Sequence, residues 1–497
     1  MEQDLSRLQN GSDIRGVALE GIEGESVNLT EEAVRAIAGG FVRWLSARRE
    51  TRPLRVAVGR DSRLSGEQIA EWLEDSLCAA GVRVTDMGLA TTPAMFMSTV
   101  TRGWLYDGAV MITASHLPWN RNGLKIFTSS GGAESGDIRE ILSLAREPLP
   151  AADGGGRDTG DFMTAYASLL RDKILSAAGN ERPLAGLRIV VDAGNGAGGF
   201  FARDVLAPLG ADTTGSRYLD PDGRFPHHVP NPELPEAMDS IRAAVTENGA
   251  DLGIIFDTDV DRAGAVLRSG EELNRNRLIA LISAVLLREH PGTAIVTDSI
   301  TSTGLASFIA ARGGVHRRFR RGYRNVINEA IRLNAAGQDC QLAIETSGHA
   351  AMKENWFLDD GAYLVTKLLI ELACGRSLED LLTGLAEPAE SREFRMKIRD
   401  EDFRRRGEAV LAALERYAAG RPGWTPAPDN CEGVRYSLDR HHGDGWFLLR
   451  LSLHDPLLPL NIESDRRGGA KTIARELAPF LAEQEGIDAS SLLEFAL

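Results

Sequence analysis

Cysteine is scarce: four in 497 residues (Cys78, Cys340, Cys374 and Cys431), with no Cys-x-x-Cys spacing. That pattern excludes a disulfide framework and a zinc cluster and points to a reducing compartment. Long apolar runs are lacking too. The longest, Leu278 to Leu287, is about half the length a membrane span needs and reads as a core helix. The opening stretch MEQDLSRLQNGSD has no apolar signal segment, so the expectation is a cytoplasmic protein with no membrane partner. Basic residues are outnumbered. With 56 Lys and Arg against 71 Asp and Glu, the net charge is −15, which speaks against nucleic acid as a partner. The run from Arg317 to Arg324, RRFRRGYR, is the local exception. It reads as a solvated surface strand or loop or, if the substrate is anionic, as cations gathered locally in an acidic protein.

What is present is an ordinary globular composition, long enough for three or four domains. Three times a short apolar strand runs into an Asp-bearing turn and then a helical stretch: Leu54 to Asp61, Leu187 to Asp192 and Ala294 to Asp298. This is the signature of α/β layers, and the spacing suggests three similar α/β domains. Pro148 to Gly160 reads as a linker or surface excursion, with further boundaries near Arg268 to Glu272 and Glu387 to Glu390. Beyond them, strand-like segments (Glu393 to Ile398, Gly433 to Leu438, Trp446 to Leu453) and a helix from Gly469 to Glu483 predict a smaller α+β domain. The expected divisions are 1–155, 156–270, 271–388 and 389–497.

Three stretches carry chemistry. In TASHLPWNRNGLK, Thr113 to Lys125, an apolar strand breaks into hydroxyls, a histidine and turn formers. Ser115 sits either on a simple turn or on a bend that presents a nucleophile. In LGIIFDTDVDR, Leu252 to Arg262, an apolar strand ends in Asp257, Asp259 and Asp261. If extended geometry continues, alternate carboxylates project to one side, and an all-oxygen set points to Mg²⁺ or Mn²⁺. A calcium EF-hand loop fails, because its sixth position is Arg262 rather than Gly and its twelfth Arg268 rather than Glu. A solvated acidic turn is the alternative. In Glu345-Thr-Ser-Gly-His349, alternating Glu, Ser and His could hydrogen-bond a row of sugar hydroxyls, or the segment is an ordinary strand-to-turn junction. Asp359-Asp360-Gly361 follows as a helix cap that could support this loop.

The order of these motifs, with Ser12-Asp-Ile-Arg-Gly16 and Gly59-Arg-Asp-Ser-Arg63 before them and Pro221-Asp-Gly-Arg-Phe-Pro226 and Pro230-Asn-Pro232 between, resembles the α-D-phosphohexomutase superfamily, in particular its phosphoglucomutase/phosphomannomutase-like members. The resemblance covers nearly the whole chain. It implies three related α/β domains and a smaller C-terminal α+β domain around a central cleft, carrying in turn a phosphoserine loop, a metal loop, a sugar loop and a phosphate-binding loop. It implies that Ser115 carries the phosphoryl group and, with Asp257, Asp259 and Asp261, ligates one Mg²⁺ per chain. Arg15, Arg262 and Lys125 match positions near that phosphate, with Lys125 assisting proton transfer. His116 orients the loop or is structural. Glu345 and Ser347 match sugar-hydroxyl contacts, and His349 a proton-transfer partner. Arg321, Tyr323, Arg324, Arg450, Ser452 and His454 fall at phosphate-binding positions.

Two stretches depart from the family pattern. Gly322-Tyr323 stands where a Gly-His pair is usual, and Arg450-Leu-Ser-Leu-His-Asp-Pro456 stands where the family reads Arg-Pro-Ser-Asn/Gly-Thr-Glu-Pro. The expected activity is interconversion of hexose 1- and 6-phosphates (glucose, mannose or both) with a bisphosphorylated sugar as activator, by a monomer or homodimer. The alternatives are a phosphoglucosamine mutase, a non-catalytic sugar-phosphate binder and, more remotely, a metal-dependent phosphatase.

Overall fold

A computed structural model describes residues 4–50, 53–428, 430–452 and 455–497. The chain forms two compact units. One comprises the chain up to Asn274 together with Ser347–Leu381; the other comprises Arg275–Thr346 and Leu382–Leu497.

The first unit holds a sheet in which Gly108–Ile112, Arg55–Arg60, Arg83–Leu89 and Gly156–Thr159 run parallel in that spatial order. Arg121–Thr128 pairs antiparallel with Gly108–Ile112 and in turn with Asp13–Val17. The parallel strands Gly108–Ile112 and Arg55–Arg60 are buried almost throughout, as their runs of Val, Ala, Met and Ile require of a sheet covered on both faces. Helices Glu31–Ser46, Gly66–Ala79 and Ser135–Leu144 supply one core with it, built on Val34, Phe41, Leu73, Ile138 and Ile141. Within Pro148 to Gly160, read as a linker or surface excursion, Gly156–Thr159 is a strand at the edge of this sheet. Its side chains are exposed, so no apolar alternation marks it, yet its backbone pairs along Arg83–Leu89.

A second, three-stranded sheet joins Ile189–Asp192 parallel and Ala263–Leu267 antiparallel to Leu252–Phe256. Helix Pro235–Asn248 packs its Met238, Ile241 and Val245 on Val190, Ile255 and Val266.

In the second unit, Ala294–Asp298 lies between Val315–Phe319 and Cys340–Ile344, parallel to both. The long apolar run forms helix Asn276–Glu289, with Leu278 to Leu287 all buried. The C-terminal sheet is antiparallel, in the order Trp424–Pro426, Val434–Leu438, Gly445–Leu449, Leu457–Ser464, Glu390–Ile398 and Ile487–Asp488. It is covered by helices Phe403–Ala418, Gly469–Ala482 and Ser490–Ala496 around Phe447, Leu460, Ile462 and Leu477. The expected strand from Trp446 to Leu453 thus ends at Leu449. Buried Arg435 fastens this sheet to the α/β layer, donating to the carbonyls of Ser299 (2.5 Å) and Thr301 (3.0 Å) while lying 3.8 Å over the Trp446 ring. Three α/β domains and a β-rich C-terminal domain are therefore present. All four cysteines are free, and among the described residues no helix is long and apolar enough to cross a membrane.

Candidate active site

In sheets of this kind the carboxyl ends of the strands are where ligands are met, and the residues singled out in the first unit gather there. Ser115 follows strand Gly108–Ile112 by three residues. It is buried and has a left-handed backbone, with φ 52°. Its N–H donates to Thr113 Oγ1 at 2.9 Å. Its hydroxyl donates to Asp257 Oδ2 at 3.0 Å, with His116 Nδ1 3.2 Å away. Burial, reinforced by the charges of Arg262 and Arg15, holds the His116 imidazole well below its ordinary range, so it faces the serine as a neutral ring.

The three aspartates converge, but not by continued extension. The strand ends at Phe256. A turn follows in which the Val260 N–H donates to the Asp257 carbonyl at 3.3 Å, and Val260 takes φ 67°. No Gly or Asn announces this left-handed residue, which is why the alternation argument missed the turn. One oxygen from each of Asp257, Asp259 and Asp261 lies within 4.8 Å of the others, and all three are buried.

Lys125, on the antiparallel strand Arg121–Thr128, places its ammonium 2.8 Å from Asp259 Oδ2 and against Asp261 Oδ2. Fully buried Arg262 reaches Asp257 Oδ2 through Nε and Nη2, both at 3.1 Å. It also donates to Asn231 Oδ1 at 3.2 Å and lies 3.5 Å from Ser115 Oγ. Burial opposes its charge, but Asp257 and Asp261 outweigh that and raise the guanidinium. Burial and repulsion from Asp261 push Asp257 well above the carboxylate range, whereas Lys125 and His349 hold Asp261 below it in spite of burial. Arg15 contacts Asp13 Oδ2 at 2.8 Å.

Lys125, Arg262 and His349 lie against the turn's carboxylates, yet Asp259 Oδ1 and Asp261 Oδ1 are buried without a hydrogen bond. An all-oxygen set with two such orphaned oxygens fits a hard divalent cation.

His349 joins this group. Its Nδ1 is 2.5 Å from Asp359 Oδ2 and 3.9 Å from Asp261 Oδ1. Burial pulls the ring down, but Asp359 and Asp261 together lift it to about 9. Gly348, at φ +95°, makes the approach possible, since a Cβ there would lie 2.7 Å from the Ala263 carbonyl oxygen. Ser347 is buried nearby in the chain.

Glu345 belongs to the other unit and accepts the Gly322 N–H at 2.6 Å. The same unit places Arg321 with its N–H on Glu432 Oε2 (3.1 Å) and its Nε 3.9 Å from Asp298 Oδ2. Tyr323 and Arg324 open helix Tyr323–Ala335, and Arg450 is buried after Leu449. Burial first, and then the like charge of Arg321, lowers the Arg450 guanidinium. Ser452 Oγ accepts the Asp455 N–H at 3.3 Å. His454 lies outside the described residues. The basic run is thus neither a simple solvated strand nor one patch: Arg317 pairs with Glu329 and Arg318 is buried on the Ser302 carbonyl.

Several residues in these sites escaped sequence reasoning. Thr92 donates to Asp259 Oδ2 at 2.5 Å, Asn231 and Glu233 face Arg262, and Asp298 and Glu432 face Arg321. Of these, Asp298 had a signal, an acid closing an apolar strand, and Asn231 was visible only inside the Pro230-Asn-Pro232 motif.

Sequence models of the phosphoglucomutase/phosphomannomutase α/β/α domains I, II and III match residues 6–147, 164–270 and 274–388. A phosphomannomutase/phosphoglucomutase of Pseudomonas putida is 32% identical over 82% of this chain and 83% of its own. A phosphoglucomutase of Neisseria gonorrhoeae is 30% identical over 84% and 86%. The crystal structure of a phosphoglucomutase/phosphomannomutase family protein from Burkholderia thailandensis superposes with a TM-score of 0.78 at 26% identity, covering 98% of both chains. With three matched domains and relatives of this identity along most of its length, the chain belongs to the phosphoglucomutase/phosphomannomutase family.

Proposed function

We propose that the protein is a phosphohexomutase that interconverts hexose 1-phosphate and hexose 6-phosphate, of glucose, mannose or both, through a phosphoserine at Ser115 and a bisphosphorylated sugar. The observation that carries this reading is the buried Ser115 hydroxyl, 3.0 Å from Asp257 and 3.5 Å from Arg262, beside an acidic triad with unsatisfied oxygens. A binding protein has no need of a nucleophile in that setting.

Asp257, Asp259 and Asp261, with an oxygen on Ser115, would hold Mg²⁺, which when bound offsets charge on the transferring phosphoryl group. In the forward half-reaction the P–O bond to Ser115 Oγ breaks and one forms to the C1 or C6 hydroxyl, whose proton departs. The bisphosphate then presents its other phosphate, and Ser115 takes that phosphoryl back. Arg262 and Arg15 stabilise the charge beside Ser115. Lys125 and His349 move the proton between sugar oxygen and serine oxygen, and neutral His116 orients the loop. Glu345 and Ser347 hold sugar hydroxyls. Arg321, Tyr323, Arg324, Arg450 and Ser452 hold the phosphate that is not reacting. A free bisphosphate reprimes Ser115 as activator. We retain four domains, 1–155, 156–270, 271–388 and 389–497, and place the enzyme in the cytoplasm, in line with its four unpaired cysteines.

The test is a coupled assay with glucose 1-phosphate, mannose 1-phosphate and glucosamine 1-phosphate, each with Mg²⁺ and a bisphosphate, alongside Ser115→Ala. Turnover of the first or second, phosphate on Ser115 by mass spectrometry and loss of activity in the variant support the reading. Preference for glucosamine 1-phosphate redirects it to amino sugars, and near-wild-type turnover by Ser115→Ala ends it.

A further inference from the structure

The Gly-Arg-Asp-Ser-Arg and Pro-Asp-Gly-Arg-Phe-Pro motifs meet at one buried side chain that touches neither the acidic triad nor the serine hydroxyl. Arg63 is buried, and its two terminal nitrogens make four hydrogen bonds to backbone carbonyls. Nη1 donates to Pro118 (2.7 Å) and Arg121 (2.9 Å), and Nη2 to Ser115 (2.5 Å) and Leu117 (2.6 Å). Those acceptors lie between Ser115 and the start of strand Arg121–Thr128, 52 to 58 residues further along the chain. Only the planar guanidinium fork satisfies four carbonyls at once.

Asp61 completes the frame. Its Oδ2 lies 3.3 Å from Arg63 Nε and accepts from Thr113 Oγ1 at 2.7 Å, and Thr113 Oγ1 in turn accepts the Ser115 N–H. Ser115 is therefore gripped at both its N–H and its C=O. A serine at φ 52° persists only where the surroundings over-determine it.

The second motif lids the clamp. Phe225, itself at φ 50°, sets its ring 5.4 Å from the Arg63 guanidinium carbon. Gly223 lets this turn come down on the first motif, for a Cβ there would lie 2.5 Å from the Ser62 carbonyl oxygen and the Leu64 nitrogen. We infer that Arg63, seated between Asp61 and Phe225, is a positioning residue that holds Ser115 in its left-handed conformation and thereby aims Oγ for phosphoryl transfer. The inference rests on the reading of Ser115 as phosphoryl carrier.

The role is in aim, so its loss should slow the chemical step and spare substrate affinity. The experiment uses the full chain with Mg²⁺. It measures single-turnover transfer of labelled phosphoryl from glucose 1,6-bisphosphate to Ser115, beside the calorimetric Kd for glucose 1-phosphate. Arg63→Lys keeps the charge opposite Asp61 but not the four-way fork, and labelling should slow about 100-fold with Kd changed less than about twofold. Phe225→Leu removes only the lid and should slow labelling about tenfold, again with Kd preserved. This variant decides the matter if Arg63→Lys does not fold. Labelling within about threefold of wild type in the deciding variant, or a Kd that weakens as far as the rate falls, overturns the inference. Label taken up by Ser115→Ala overturns instead the assignment of the carrier, so the two failures are told apart.

Discussion

Lys125 occupies the place where a cation is needed most, and replacing it with methionine isolates what that charge does. In the wild type Lys125 pairs with both Asp259 and Asp261, and Lys125→Met removes that cation from a buried acidic cluster. Removing one partner of a buried ion pair costs about 3–5 kcal/mol. For a unit of this size that corresponds to a fall in melting temperature of about 6–10 °C in the absence of divalent metal. Mg²⁺ at one hundred times its Kd restores about 2.7 kcal/mol to any form that binds it only when folded. The variant has lost the competing ammonium, so its affinity rises, and each tenfold gain adds about 1.4 kcal/mol. Calorimetric scans of both proteins, with and without Mg²⁺, should show the variant starting lower and gaining at least about 3 °C more from the metal. Equal Mg²⁺ shifts, or a metal-free melting temperature within about 2 °C of wild type, would refute the charge argument.

Three further outcomes are expected. His228 donates from both ring nitrogens, to Asp192 (3.0 Å) and the Val229 carbonyl (3.0 Å); burial lowers its pKa, but Asp192 outweighs that and raises it above the ordinary 6.5. Its stabilisation is therefore full below pH 6.5 and is lost as pH climbs through the raised value. The stability gap between wild type and His228→Gln, from urea melts at stepped pH, should close in that direction. Glu74 is pushed up to about 7 by burial and by repulsion from Asp86, against the pull of Arg157. The folded protein then loses about 3 kcal/mol between pH 4.5 and 7 that Glu74→Gln does not lose, so the variant should gain on wild type as pH rises across that window. Arg450→Ala and Arg321→Ala should each raise KM about 10- to 100-fold, the worth of a charged hydrogen bond to phosphate. Unchanged KM and kcat in both would make that loop structural.

The parts of this protein legible in its sequence are those where a local pattern and a local cause coincide. Apolar runs of Val and Ile closing on an acid marked the strands ending at Asp192 and Asp298 and the one leading into Asp257, because a covered parallel strand must be apolar and its end is free to be polar. The convergence of Asp257, Asp259 and Asp261 was legible for a reason that proved incidental, since a turn through left-handed Val260 performs it. Arg63 was visible only as part of a motif, because its four acceptors are carbonyls, which every residue has and no sequence marks. The same holds for Gly156–Thr159, which is held by backbone pairing with its side chains in water.

The division of the chain between its two units bears on how the protein is made. The first unit is left at Asn274 and rejoined only at Ser347. The returning segment brings His349 and Asp359 to the acidic turn and helix Gly361–Ala373 to helix Phe162–Ala178, where Tyr166 donates to Asp360 at 2.7 Å across 194 residues. On a ribosome helix Phe162–Ala178 therefore waits for the time it takes to synthesise about 200 further residues, about 10 s at least, before helix Gly361–Ala373 can pack against it. Ser115 and the three aspartates are synthesised well before His349, so a chain interrupted in that interval carries the acidic turn without the histidine that lies against it.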